Sequence, residues 1–241
     1  MKSIYKYELR YWAKQISIYL YAFIFLALAT LLMAVENNVF EASSPADSIG
    51  NSPYRIYDGM QFFGQFILFL LPIIFGGAIY RDFKTNMHSV LYSFPITKRT
   101  YLAAKFLSAF TVMFFIVSMI GIGFIISAHF LGAPVEKVTT FNLLPYLKGY
   151  VLYLLPNILI FGSIVFAVVT LSRNIYSGFI AVIIVLFLQQ ILMRVLSGMD
   201  SLFMIGVIEP FGEFAWKIVT RYWSGVEKNS LAIPVGNSLI V

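Results

Sequence analysis

Two histidines, His88 and His129, are the side chains best suited to metal binding or proton transfer. The topology derived below puts them on opposite sides of a membrane, so they cannot share a metal ion. Ser127 lies two residues before His129, and side chains at that spacing point to different faces of a helix. The chain has no cysteine, no zinc-binding His-Glu-x-x-His pair and no Gly-x-x-x-x-Gly-Lys-Ser/Thr loop for ATP. The sequence therefore predicts a protein that is not an enzyme and holds no metal or cofactor of its own.

The composition predicts an integral membrane protein. Of the 241 residues, 60% are hydrophobic and 12% are charged, and this charged share is about half that of a soluble domain. A soluble fold of this size has too little interior to bury so much apolar surface. The net charge of +6 would suit a nucleic-acid partner. The basic residues flank apolar runs, however, as topology signals do, so no nucleic acid is expected.

Five apolar runs are long enough to cross the hydrocarbon core, which takes about 20 helical residues. They are residues 16–35, 62–80, 106–130, 150–171 and 175–193, and none of them contains Lys, Arg, Asp or Glu. Backbone within lipid must satisfy its own hydrogen bonds, and the runs lack the alternation of barrel strands. The predicted fold class is therefore all-α, a polytopic membrane helix bundle with amphipathic interfacial helices. Residues 233–241 read as the approach to a truncated sixth span.

Charged residues between the spans predict a cytoplasmic amino terminus. The connections on one face together carry ten Lys or Arg and two acids, and those on the other carry seven and nine. Because Lys and Arg are retained on the cytoplasmic side, residues 1–15, residues 81–105 and the short link at Arg173 are expected in the cytoplasm. Residues 36–61 and the outer segment 197–241 are expected outside.

The spans contain few polar side chains. The four amide side chains inside them are Gln65, Asn157, Gln189 and Gln190. Such residues more often bond between helices than line a path, and the absence of a mid-span Asp or Glu disfavours an ion-coupled transporter. Pro72 and Pro156 are expected to kink the second and fourth spans.

Residues 1–15 have the pattern of an interfacial helix. An apolar stripe at helical spacing consists of Tyr5, Leu9, Trp12 and Ile16. A cationic stripe at every fourth position consists of Lys2, Lys6, Arg10 and Lys14. Together they predict a helix lying in the cytoplasmic membrane interface, and the alternative is a charged flank that sets topology without a structural role.

Residues 81–100 predict a second amphipathic helix, between the second and third spans. Its apolar face, over about three turns, consists of Phe83, Met87, Val90, Leu91 and Phe94. Pro95 would end the helix, because a residue before proline avoids the helical conformation. The segment is either a linker resting on the membrane or a docking helix for a cytoplasmic partner, and periodicity does not separate these roles.

The outer segment 197–241 also has a helical pattern. One face consists of Phe211, Phe214, Ala215, Ile218 and Tyr222. With Trp216 and Trp223 close by, the pattern suits a helix at the outer membrane interface, where aromatic residues are enriched.

Residues 81–96, together with Lys105-Phe106-Leu107, resemble a motif of type-2 ABC transporter permeases. In that family an Arg-acid pair after the second span leads into an apolar helix, which ends in a Ser-x-Pro turn like residues 93–95. The chain then enters the third span through Lys-Phe-Leu. Family members usually have glycine where this chain has Asn86. An amino-terminal interfacial helix and short outer helices are also features of the family.

A narrower likeness lies in the outer segment. Residues 209–212, 220–223 and 227–229 resemble bacterial permeases fused to a zinc-aminopeptidase-like region, in which Asp is usual at the position of Glu209. This likeness implies that the chain is the amino-terminal part of a longer protein or of a two-part system.

The resemblance implies a single permease domain over residues 1–241, acting in export within a bacterial plasma (inner) membrane. A separate ABC ATPase subunit would bind ATP, and a second permease half or a second copy of this chain would complete the transporter in membrane lipid. The implied ATPase-docking residues are Asp82, Phe83, Lys84, Thr85, Met87, His88, Ser89, Leu91 and Pro95. The alternative function is a non-transporting membrane assembly or anchoring protein, and no feature indicates a substrate.

Overall fold

The computed structural model describes residues 1–37, 39, 49–85, 97–134, 136, 138–196 and 212–231. Within these ranges the chain forms eight helices and no strand, which confirms the predicted all-α class. The helices are α1 (Lys2–Ala13), α2 (Ile16–Glu36), α3 (Pro53–Lys84), α4 (Lys98–Phe130), α5 (Leu144–Ser172), α6 (Ile175–Leu196), α7 (Glu213–Thr220) and α8 (Gly225–Ser230). The predicted sixth span lies outside the described residues.

Helices α2 to α6 are each long and apolar enough to span a membrane. The chain is thus a multi-pass membrane protein, as predicted, but two helices extend well beyond their apolar runs. α3 begins at Pro53 instead of residue 62, and α4 begins at Lys98 instead of residue 106. An apolar run stops at the first charged residue, whereas a helix continues until its backbone is capped or broken. Pro53 suits a first helical position because its missing N–H would have no helical acceptor there.

A widened, π-helical turn lies at or near each of the two prolines that are expected to kink their spans. α3 contains one at Pro72–Gly76, and α5 contains one at Tyr150–Leu154, two residues before Pro156. Proline has no backbone N–H and its ring crowds the carbonyl four residues earlier. A π-turn accommodates this interruption by inserting one extra residue while the helix continues.

The described chain divides into two compact units. The first unit comprises Met1–Ala22, Gln65–Val117 and Ile158–Phe187. The second unit comprises Phe23–Gly64, Ser118–Asn157 and Leu188–Val241.

Aromatic rings and close helix contacts form the core of the first unit. The Phe106 ring lies between Phe75 of α3, at 5.1 Å between centroids, and Phe166 of α5, at 5.4 Å. Gly162 permits this approach, because a Cβ there would lie 2.9 Å from the Phe75 ring. The link between α5 and α6 is tight, and Arg173 adopts a left-handed conformation (φ 57°) within it.

An aromatic cluster organises the second unit. Trp216 of α7 is 1% exposed and packs against Tyr57 of α3 at 4.4 Å and Tyr54 at 5.6 Å between ring centroids. Tyr153 of α5 packs on Tyr57 and donates a hydrogen bond to the Gln61 carbonyl at 3.3 Å. α7 exists where the outer amphipathic pattern falls, but its tryptophan is buried within this unit instead of facing a membrane interface, because neighbouring rings offer it more apolar contact area.

Helix α8 is fixed at its start by a capping box. The Ser224 hydroxyl accepts a hydrogen bond from the Glu227 backbone N–H, and the Glu227 carboxylate accepts one from the Ser224 N–H. The Ser224 hydroxyl also donates a hydrogen bond to the Glu227 carboxylate at 2.8 Å. The hydrogen bonds that the carboxylate accepts from the Ser224 backbone N–H and hydroxyl lower the pKa of Glu227, because they stabilise the ionised form.

Candidate functional site

Four charged side chains from three helices meet inside the first unit. Glu8 comes from α1, Arg81 and Asp82 come from the carboxyl end of α3, and Lys105 comes from the first turns of α4. We call these four residues the ion-pair cluster. α1 presents Glu8 beside its apolar stripe, since Glu8 follows Tyr5 by three residues, and the helix packs that side inward.

The geometry of the ion-pair cluster is that of a closed network. Arg81 Nη2 donates to both carboxylate oxygens of Glu8, at 2.7 and 2.6 Å. Lys105 Nζ lies 3.0 Å from Glu8 Oε1 and 2.7 Å from Asp82 Oδ2, and it donates to the Ala78 carbonyl at 2.8 Å. The Tyr101 hydroxyl donates a short hydrogen bond to the same Asp82 oxygen. The Glu8 carboxylate therefore joins α1 to both α3 and α4, and the Asp82 carboxylate joins α3 to α4.

Burial makes these contacts strong constraints. The side chains of Lys105 and Glu8 are 2% and 3% exposed, and that of Asp82 is 12% exposed. Two acids balance two bases, so the ion-pair cluster has no net charge. Removing one partner from such a buried pair costs about 3–5 kcal/mol, because the other charge is left without compensation. The arrangement is therefore suited to holding three helix ends together.

Further contacts hold α1 against the rest of the first unit. The Arg81 guanidinium lies 3.7 Å from the centroid of the Tyr11 ring, a cation–π geometry. The hydroxyls of Tyr5 and Thr111 are 2.9 Å apart, and Trp12 is buried beside Gly77. The apolar stripe predicted for α1 thus packs on protein at Trp12, while the predicted cationic stripe is exposed.

A cavity of about 610 Å³ opens beside the ion-pair cluster. Its walls come from α1, the end of α3 and the start of α4, so it lies within the first unit. The residues that line it are Ser3, Ile4, Tyr7, Glu8, Tyr11, Arg81, Asp82, Thr85, Tyr101 and Lys105. The Nη1 of Arg81 is buried without a hydrogen-bond acceptor among the described residues.

Four of the predicted docking residues are described by the structure, namely Asp82, Phe83, Lys84 and Thr85. Asp82 is buried in the ion-pair cluster, and Phe83 is half-buried with the Arg173 guanidinium 5.5 Å from its ring. Lys84 and Thr85 are exposed. Five further docking residues lie outside the described residues, namely Met87, His88, Ser89, Leu91 and Pro95.

The remaining polar candidates have structural surroundings. Ser127 accepts a hydrogen bond from Asn37 Nδ2 at 3.3 Å, and both residues are buried. The His129 ring packs edge-on against Phe141 at 5.7 Å. Gln189 is buried, whereas Gln190 is exposed on α6. Among the described residues of the second unit, these contacts bring no nucleophile and base together.

The sequence motif contains Arg81, Asp82 and Lys105, but only Asp82 was predicted as a site residue, and it was predicted to contact an ATPase. The ion pairs that these three residues form were not predicted. Glu8 enters the sequence analysis only as one of the two acids on the predicted cytoplasmic face, although its position beside the apolar stripe of α1 indicates burial. Tyr101 carried no signal in the sequence.

Comparison with protein-family models, curated proteins and solved structures finds no match for this chain.

Proposed function

We propose that this chain is a permease subunit of an ATP-binding-cassette transporter, working in export and driven by a separate ATPase subunit. The observation that carries the proposal is the ion-pair cluster at the root of the segment that begins with Asp82. That segment has the motif of a docking helix for the ATPase. Such a helix must be firmly connected to the spans if it is to pass on movement of the ATPase, and the ion-pair cluster provides that connection.

Force applied to this segment would reach three helices. α3 continues directly into the segment, while Glu8 and Lys105 tie α1 and α4 to its first residues. Because separating these buried charges costs several kcal/mol, the three helix ends would move together. Closure of an ATPase dimer on the segment would thereby tilt the spans that start and end there.

The exposure of two predicted docking residues supports a cytoplasmic contact. Lys84 and Thr85 are exposed, and they lie two and three residues after the anchored Asp82. Phe83, between Asp82 and Lys84 in the sequence, is half-buried, which suits an anchoring role. We infer that Asp82 fixes the root of the segment, while the ATPase contacts the exposed side chains beyond it.

A transporter of this type needs two permease halves, so a second copy or a second half would pair with this chain. The exposed apolar faces of α2 and α6 are available for lipid or for that partner. In α6, the exposed large side chains include Ile180, Ile184, Phe187 and Leu188.

Co-purification with the cognate ATPase tests the proposal. Replacing the apolar docking residues together (Phe83→Asp, Met87→Asp, Leu91→Asp) should release the ATPase, because a charged face cannot seat the segment on the membrane and the span ends. The variant should still insert, since the spans are unchanged. Tyr222→Asp is the matched control, because Tyr222 is an exposed aromatic residue on the predicted outer side, and its ATPase recovery should equal that of the parent.

The same preparations separate the transporter from an anchoring protein. In reconstituted membranes the parent chain should stimulate ATP hydrolysis by the bound ATPase, and the triple variant should not. Unchanged ATPase recovery in the triple variant would refute docking at this segment. If the triple variant loses the ATPase but the parent chain does not stimulate ATP hydrolysis, the chain would belong to the class of anchoring proteins.

A further inference from the structure

We propose that the cavity beside the ion-pair cluster binds the phosphodiester headgroup of an anionic phospholipid. This inference requires only that the chain spans a membrane, and it does not depend on an ATPase partner. The cavity volume of about 610 Å³ falls within the range of about 300–1,000 Å³ that is usual for small-molecule sites.

The cavity lies at the depth of lipid headgroups. α1 precedes the first span, α3 ends after the second and α4 begins before the third, so an even number of crossings separates these three ends. They therefore share one membrane face. α1 also has the apolar and cationic stripes of a helix that lies in the interface, and it supplies half of the residues that line the cavity.

The wall chemistry suits a phosphate ester. Arg81 lines the cavity and keeps a buried Nη1 without an acceptor among the described residues. Guanidinium groups bind phosphate through short charge-assisted hydrogen bonds, and a small shift of the Arg81 side chain would present this donor to the cavity. Hydroxyls of Ser3, Tyr7 and Tyr101 also belong to the lining residues.

The charge of this membrane face favours an anion. Its topology assigns two acids to the face, Glu8 and Asp82, and both are buried in the ion-pair cluster. The other basic residues of the face are all exposed, namely Lys2, Lys6, Arg10, Lys14, Lys84, Lys98, Arg99 and Arg173. Each basic residue near the surface contributes to the attraction of anionic lipid. The two acids that line the cavity, Glu8 and Asp82, are already paired with Arg81 and Lys105.

A lipid and a free phosphate ion would offer Arg81 the same chemistry. The lipid is favoured because Ile4 and the exposed ring of Tyr7 provide an apolar side wall, which would contact the glycerol and upper acyl chain. Arg10 and Lys14 follow Ser3 and Tyr7 by seven residues, so they lie on the same side of α1. They would flank the headgroup from the solvent side.

Native mass spectrometry of the purified full chain tests the site. The protein would be exchanged into nanodiscs of phosphatidylglycerol or of phosphatidylcholine, and retained lipid would be counted after gentle release. We expect one strongly retained phosphatidylglycerol per chain and weak retention of phosphatidylcholine. Two cavity-filling variants, Ser3→Trp and Ile4→Trp, should each reduce phosphatidylglycerol retention by about ten-fold. That factor corresponds to a loss of about 1.4 kcal/mol of binding free energy.

The control variant is Lys6→Gln. Lys6 belongs to the exposed cationic stripe but does not line the cavity, so this variant lowers general attraction and should keep the retained lipid. A fourth arm adds excess inorganic phosphate to the parent protein, which should not displace the lipid.

Three results would overturn the proposal. The first is equal retention of the two lipids by the parent chain. The second is unchanged phosphatidylglycerol retention in whichever filling variant elutes as a folded monodisperse species. The third is displacement of the lipid by inorganic phosphate alone, which would assign the cavity to a free ion.

Discussion

The Glu8 side chain connects three helices of the first unit. Its carboxylate accepts two hydrogen bonds from Arg81 and pairs with Lys105, so one residue connects α1 to both α3 and α4. Arg81 and Lys105 each bring a positive charge out of water at that point, and Asp82 alone cannot neutralise both. The neutrality of the ion-pair cluster therefore depends on an acid that comes from the amino-terminal helix.

The variant Glu8→Gln should destabilise the protein. Arg81 and Lys105 would then share the single carboxylate of Asp82, and breaking a buried pair in this way costs about 3–5 kcal/mol. We expect a clearly lower Tm in detergent, followed by the fluorescence of the three tryptophans.

Lys6→Gln is the control for this measurement, because Lys6 is an exposed residue of the same helix. Exposed substitutions of that kind usually change stability by about 0.5 kcal/mol or less. Equal Tm values for Glu8→Gln and Lys6→Gln would show that the ion-pair cluster does not constrain the helices.

At the scale of helices, the packing of α5 against α3 depends on the absence of a side chain. The Phe75 ring fills the place that a Cβ at Gly162 would occupy. Phe75 is fully buried in the π-turn of α3, so its ring can move only if neighbouring side chains move with it.

Gly162→Ala should therefore destabilise the protein, although alanine is the better helix former. The new methyl group would lie 2.9 Å from the Phe75 ring, and overpacking of this kind typically costs about 1–3 kcal/mol. The double variant Gly162→Ala with Phe75→Leu should recover part of the loss, as judged by Tm.

Gly77→Ala provides a control with the same chemical change. A Cβ at Gly77 would lie 3.7 Å from the Trp12 ring, an ordinary contact. This variant should equal or exceed the parent in Tm, because alanine is favoured over glycine in a helix by about 1 kcal/mol. If both alanine variants behaved alike, the close approach at Gly162 would have no energetic importance.

The helices themselves were largely predictable, and their irregular parts were predictable to different degrees. Lipid forces regular backbone hydrogen bonding on any apolar run, so five spans follow from composition. Pro72 begins one π-turn and Pro156 follows the other by two residues, and a proline is a sequence signal of helix irregularity because it has no N–H to donate. The early starts of α3 and α4 were missed, since the charged residues in their first turns look like loop residues when only hydropathy is considered.

The ion-pair cluster and the burial of Trp216 were beyond a reading of local sequence. Glu8 and Lys105 are far apart in the chain, and their pairing arises only when α1 packs against the spans. An aromatic helix near a membrane surface suits the interface as well as a protein core, so the pattern around Trp216 does not decide between them. In both cases the outcome depends on how the helices pack against one another, which the local sequence does not contain.

At the scale of the whole molecule, the predicted orientation governs the functional proposal. The predicted docking helix, residues 82–94, can contact an ATPase only if it lies in the cytoplasm. The excess of Lys and Arg beside α1, α3 and α4 favours that orientation. Because the chain has no cysteine, one introduced thiol would be a unique label.

Single-cysteine labelling measures the orientation directly. Lys84→Cys should resist a membrane-impermeant maleimide in intact cells and react after the cells are opened, because its position is exposed and is predicted to be cytoplasmic. Val226→Cys, at a position that is 76% exposed on α8, should react in intact cells. Labelling of Lys84→Cys from outside would refute both the orientation and the proposed ATPase contact.

The π-turn at Pro72–Gly76 sets the rotational phase of everything that follows it in α3. A regular helix turns about 100° per residue, so deleting one residue from this turn would rotate Arg81 and Asp82 by that angle around the axis. Their side chains would then swing away from Glu8 and Lys105 without any change in the charged residues themselves. The number of residues in the π-turn thus determines the direction in which the side chains at the end of the second span project from the helix axis.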